Sequence, residues 1–230
     1  MRVHFQREID KLKRQILEMS ADVEKAVSEA VRAVETRDAA LAESVMAHEP
    51  DTNVREVDVE EECLKILALH QPVAADLRYL VAVLNINRDL ERIGDLAVHI
   101  AQGALFLCGM PPVDVPIQLG EMAAKAQQML KKVLDAFVNV DVAAAREIRL
   151  ADSELDVLNR EMASRLKTEI MRRPALLEPF LKLIHIAGRL ERIGDHATNI
   201  AEDLIYLIEG KIVRHTLETS AETATPRQAG

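Results

Sequence analysis

The sequence predicts an all-α protein made of two tandem, pseudo-twofold-related three-helix units, and three observations carry that prediction. Apolar residues return at spacings of three and four through almost the whole chain, the period of an amphipathic helix rather than of a strand. The composition agrees: aromatics are only 3%, Trp is absent, and Gly and Pro number eight each in 230 residues, leaving a chain rich in helix formers. The hexapeptide Leu90-Glu91-Arg92-Ile93-Gly94-Asp95 returns letter for letter as Leu190-Glu191-Arg192-Ile193-Gly194-Asp195, so the second half repeats the first.

Each element follows from local signals. From about His4 to Arg37, the residues Ile9, Leu12, Ile16, Met19, Val23, Val27, Val31 and Val34 mark one long helix. About 30 residues of helix extend about 45 Å, which suits an elongated bundle better than a small globule. Asp38 is placed to cap a following helix through Leu41 and Val45 to Glu49, where Pro50 breaks or kinks it. The pattern resumes through Val57, Leu64 and Leu67 and stops at Gln71-Pro72. A third helix is predicted from about Ala74 to Cys108, and it carries the first hexapeptide.

Gly109-Met110-Pro111-Pro112 is the strongest break in the chain, and it sets the expected division into a unit over residues 1–109 and a second over 110–212. The second unit repeats the order: a helix from about Val115 to Val138, a cap at Asp141, a helix to Arg173, a stop at Pro174, and a helix from Ala175 to Glu209 closed by Gly210. Residues 213–230, rich in Thr, Ala and Glu, are expected to form a disordered tail.

Bulk properties exclude several function classes. A net charge of −9 argues against a general nucleic-acid binder, which needs a basic surface to displace counterions, and suits cations or a basic partner. Cys63 and Cys108 fall on apolar helical segments, so two reduced thiols are expected rather than a disulfide. No apolar run approaches the roughly 20 residues that span a bilayer. A cytoplasmic protein is expected, free to dock on a membrane complex through partners.

The duplicated motif places paired acids on one helix face. Glu91 and Asp95, like Glu191 and Asp195, are four apart, and a helical wheel sets them opposite the stripe of Leu90, Ile93, Ala97 and Ile100 or its counterpart in the second copy. The same wheel assigns His99 to the polar side of the first copy and Asn199, Glu202 and Asp203 to that of the second. Surface charge runs are usually solvated faces, paired here with Arg88, Arg92 or Arg192. Two features weigh against that reading. Like charges at this spacing repel by a few tenths of a kcal/mol. Gly94 and Gly194 each cost about 1 kcal/mol in a helix interior, which points to close approach of a neighbouring helix.

The second helix of each half adds carboxylates. Asp152 and Asp156 lie four apart at the edge of the stripe Leu155, Leu158, Met162 and Leu166, and their counterparts at an offset of 103 are Glu49 and Asn53. Carboxylates from two helices can build an oxygen-rich pocket for a hard or borderline divalent cation. His99 could add a nitrogen ligand. His70, His185, His196 and His215 share no spacing and are read as capping or surface residues.

The run Gln71-Pro72-Val73-Ala74-Ala75-Asp76-Leu77-Arg78, followed by Asp89 to Ala97, resembles the PhoU family of phosphate-uptake regulators, as does Leu190 to Ala201. The resemblance covers about residues 5 to 210. It implies two tandem three-helix bundles, each holding a metal ion or multinuclear cluster, of iron or zinc for instance. The implied ligands are Glu91 and Asp95, and Glu191 and Asp195, with Asp152 and Asp156 matching acidic positions of the second bundle. The first bundle departs from the pattern at Asn53. The resemblance further implies a non-enzymatic negative regulator of the phosphate response, an adaptor between the ATPase subunit of the phosphate ABC transporter and a two-component sensor histidine kinase. A homodimer is expected. The competing readings are a metal-dependent hydrolase or phosphatase with a carboxylate-bridged metal pair, and a helical scaffold without metal.

Overall fold

The computed structural model describes residues 2–211 of the chain, and among them every regular element is helical. The helices are α1 (Arg2–Thr36), α2 (Ala39–Ala47), α3 (Glu49–His70), α4 (Ala74–Cys108), α5 (Ile117–Asn139), α6 (Val142–Arg172) and α7 (Leu177–Glu209). The expected tail over 213–230 lies outside the described residues.

Local chemistry sets the boundaries. The Asp38 carboxylate accepts the Leu41 N–H at 3.0 Å, and the Asp141 carboxylate accepts the Ala144 N–H at 3.1 Å, so both predicted caps form. The residue before each cap is left-handed, Arg37 at φ 53° and Val140 at φ 57°, so the turn is repeated in backbone where its side chains differ. Pro50 sits in the first turn of α3, where its missing N–H has no helical partner to lose. The break therefore falls at His48, between two helices. Gly210, at φ 69°, closes α7 with its N–H on the Tyr206 carbonyl. Pro174 opens a short 3-10 turn, Pro174–Leu176, and α7 begins at Leu177 rather than Ala175.

In the first half α1, the α2–α3 pair and α4 pack together; in the second, α5, α6 and α7 do. The most extensive helix pairing joins the halves, α4 against α7. The two run antiparallel: Asn85 donates to Asp203 at 3.2 Å, Asn199 donates to Asp89 at 3.4 Å, and Gly103 faces Ile186. The midpoint of these pairs is level with Gly94 and Gly194, which places the pseudo-twofold axis at the centre of the duplicated motif. Gly103 is needed there, since a Cβ on it would lie 2.9 Å from Ile186 Cγ1. Buried side chains of both halves form one connected core.

The crossing also corrects the wheel. Asp203, expected on the open polar side of α7, is 3% exposed, because α4 covers that side and Asn85 meets its carboxylate. Cys63 and Cys108 are both free thiols, the first buried and the second partly exposed. Burial pushes the Cys63 thiol up to about 12, so it stays protonated and unreactive.

Candidate metal centre

The second-half acids converge. Glu191 and Asp195 project from α7 toward α6, and oxygens of Asp156, Glu191 and Asp195 all lie within 4.8 Å of one another. Asp152 stands one turn earlier on α6. The close approach expected at Gly194 is present, since a Cβ there would fall 2.5 Å from Leu155 Cδ2 and 3.5 Å from Asp152 Oδ1. Leu155 is fully buried, so this position fixes how near α6 lies to α7 and carries Asp152 and Asp156 to the motif.

This cluster is electrostatically unbalanced. Burial, then the charges of Asp195 and Asp156, pushes the Asp152 carboxyl up to about 6. Glu191 is raised by burial and then by Asp195, Asp156 and Asp152, against Arg192, and Asp195 is raised by burial and then by Asp156, against His196 and Arg192. None of the four forms an ion pair among the described residues. Arg192 and His196 thus oppose the rise without closing an ion pair with these acids. Convergent carboxylates with no cation seated among them are an unfavourable arrangement that a hard cation relieves, and the donor set is all oxygen. The residues present fit a metal ion.

The first-half site has the same backbone plan and different contents. Glu91 and Asp95 line a cavity of about 130 Å³ between α1, the α2–α3 segment and α4, with Glu49 and Asn53 in the places of Asp152 and Asp156. Arg92 turns onto the motif, its Nε 3.4 Å from Glu91 Oε2 and its Nη1 3.7 Å from Asp95 Oδ2. Burial and Asp95 raise the Glu91 carboxyl, and Arg92 opposes them. A Cβ on Gly94 would meet Thr52 Cγ2 at 3.5 Å, an ordinary contact, so close approach is required at Gly194 and not here. Among the described residues, the only trio of candidate ligand groups that converges is the second-half one. The first-half residues do not fit a metal ion in the same way.

His99 is exposed and does not line this cavity; the histidine that does is His48, whose Nδ1 is 2.6 Å from the Ser44 carbonyl. Sequence reasoning also passed over Asp22, Lys25 and Glu29 of α1, which share the wall with Glu91 and Asp95. They flank the buried stripe of Val23, Val27 and Ala30, and that position was the only available signal. His196 pairs with Asp89 at 2.8 Å across the α4–α7 contact, and His70 with Glu8 at 2.5 Å, so both serve packing.

Comparison with known proteins gives a concordant result. The PhoU domain family model matches residues 16–104 and again 119–204. The chain is 37% identical over 213 residues to a phosphate-specific transport system accessory protein PhoU homolog of Pseudomonas aeruginosa, covering 92% of this chain and 88% of that one. The crystal structure of PhoU from Pseudomonas aeruginosa superposes with a TM-score of 0.87 at 36% identity, covering 90% of this chain and all of that one. The phosphate transport system regulatory protein PhoU of Streptococcus pneumoniae gives a TM-score of 0.84 at 28% identity, covering 91% and 99%.

Proposed function

The chain belongs to the PhoU family of phosphate-transport accessory proteins, and from that premise we propose that it is a cytoplasmic negative regulator of phosphate uptake and phosphate-starvation signalling. In this reading it is an adaptor between the ATPase subunit of the phosphate transporter and a sensor histidine kinase. Relatives carry the names of accessory or regulatory proteins, which supports a role without turnover. No helix among the described residues is long and apolar enough to cross a membrane, so contact with the transporter would run through a partner surface.

The observation that carries the adaptor reading is the shape of the outer face. On α6 the exposed apolar residues Leu150, Val157 and Met171 fall on one seven-residue repeat, at 67%, 44% and 84% exposure. Ser164 holds the remaining position of that repeat, and the spacing keeps the three on one side of a helix of 31 residues, a face that a partner helix can pack on.

The metal reading belongs to the same proposal. Asp156, Glu191 and Asp195, with Asp152 beside them, would hold an iron or zinc ion on the outside of the second bundle. Its bound charge would offset the carboxylate repulsion and lock α6 to α7, setting the surface shown to partners. The test is a phosphate-starvation reporter in a deletion strain, with co-purification of the ATPase subunit and the kinase. Constitutive reporter expression on deletion, restored by the wild-type chain, and capture of either partner are expected. Unchanged reporter expression together with no association refutes the adaptor role.

A further inference from the structure

The duplicated motif is not duplicated in what it can hold. We infer that metal loading in this chain is one-sided, with the cation taken by Asp156, Glu191 and Asp195 of the second bundle and none taken by Glu91 and Asp95 of the first. The inference rests on the metal reading above and adds its site specificity.

The two sites share backbone and differ in three side-chain facts. First, the position that supplies the third carboxylate, Asp156 on α6, is Asn53 on α3. An amide oxygen is a neutral, weaker donor, and its NH₂ group turns part of the wall into a hydrogen-bond donor. Second, Arg92 reaches both acids of its own motif, at 3.4 Å and 3.7 Å, whereas no such pair forms at Glu191 or Asp195 among the described residues. Arg92 is 58% exposed, and an exposed pair of that kind is weak, so it does not decide the matter by itself. Arg192 also opposes the charge of Glu191 and Asp195, but from beyond ion-pair distance, so the two motifs differ in how closely the arginine is seated. Third, the additional acids on the first cavity's wall are accompanied by cations: Arg55 Nη1 lies 3.1 Å from Asp22 Oδ2, and Lys25 Nζ lies 4.0 Å from Glu29 Oε1. A divalent cation entering there would meet Glu91 and Asp95 already partnered by Arg92, Glu49 on the wall, an amide in place of the third converging carboxylate, and neighbouring positive charge. In the second bundle it meets three converging carboxylates with a fourth close by.

The opposite outcome follows if backbone plan alone sets occupancy, because the hexapeptides are identical. The experiment uses the full chain, stripped with chelator, reloaded with Zn²⁺ alone and desalted, with zinc per chain read by plasma mass spectrometry. Glu91→Gln with Asp95→Asn is expected to retain the wild-type zinc content. Glu191→Gln with Asp195→Asn is expected to fall to the level of the stripped protein, with circular dichroism confirming that it stays helical. A loss of roughly half the zinc in the Glu91/Asp95 variant, while wild type loads normally, overturns the one-sided assignment and leaves the metal reading standing. Wild-type protein that takes up no zinc above the stripped level overturns the metal reading and this assignment together. The Glu91/Asp95 variant decides between the sites even if the second variant fails to fold.

Discussion

Asp152 offers the sharpest quantitative test of the carboxylate cluster. The substitution Asp152→Asn keeps the side-chain shape and removes one charge. In the folded protein this carboxyl is pushed up to about 6 from an ordinary 3.8, chiefly by burial and then by Asp195 and Asp156. A carboxyl whose folded value lies above its unfolded value binds more protons in the folded state. Its contribution to stability is full below the unfolded value of 3.8 and is lost as pH rises through about 6. A displacement of about two pH units corresponds to about 3 kcal/mol if fully transmitted, and solvent screening of a half-buried group reduces it to about 1–2 kcal/mol. Metal-free wild type therefore sheds that amount between about pH 4 and pH 6.5, and Asp152→Asn does not. At pH 7.5 in chelator, the variant should be more stable by about 1–2 kcal/mol, or roughly 2–8 °C in melting temperature for a chain of this size. At pH 4.5 most of the advantage should vanish. Urea denaturation of both proteins at the two pH values measures the difference, in which the titration of carboxylates outside this cluster cancels, while Glu191, relieved of the Asp152 charge, shifts in the same stabilising direction. An unchanged or destabilised variant at pH 7.5, or an advantage independent of pH, would refute the repulsion argument.

Other substitutions probe separate links. Replacing Leu190 by Asp puts an unpaired charge at a position 1% exposed, and a loss of at least about 4 kcal/mol is expected, read as collapse of the thermal transition. Glu191→Ala with Asp195→Ala should leave far-ultraviolet circular dichroism almost unchanged, because both acids lie off the apolar stripe. Val140 holds a β-branched side chain at φ 57° and is exposed, so Val140→Gly should gain about 0.5–1 kcal/mol in chemical denaturation. Its counterpart Arg37 should behave oppositely, since its guanidinium donates to the Leu107 carbonyl and, at 2.6 Å, to the Met110 carbonyl; Arg37→Gly should lower stability. Finally, Asn53→Asp combined with Arg92→Gln should give the first bundle a zinc uptake that Glu91→Gln then abolishes, measured as zinc per chain.

The sequence by itself determined the helices and their faces. Capping by Asp38 and Asp141, the stop at Gln71, and the Gly210 cap are decided within a few residues by backbone hydrogen bonding, so they can be read without knowing any neighbour. The apolar period likewise shows which side of each helix turns inward, and Leu90, Ile93, Leu190 and Ile193 are all buried as it requires. What a wheel cannot contain is the identity of whatever covers the other side. Asp203 and Asp195 read alike on α7; α4 buries the first, while the second stays exposed among the α6 carboxylates. Gly94 and Gly194 are the same letter in the same motif, yet only Gly194 is pressed by a leucine from the facing helix. Asn53 in place of an acid was legible in the sequence, but identical hexapeptides became unlike sites also because the distance from Glu191 and Asp195 to Asp156 is set between helices, where Leu155 meets Gly194. That distance is a tertiary quantity, and the tertiary structure alone decided it.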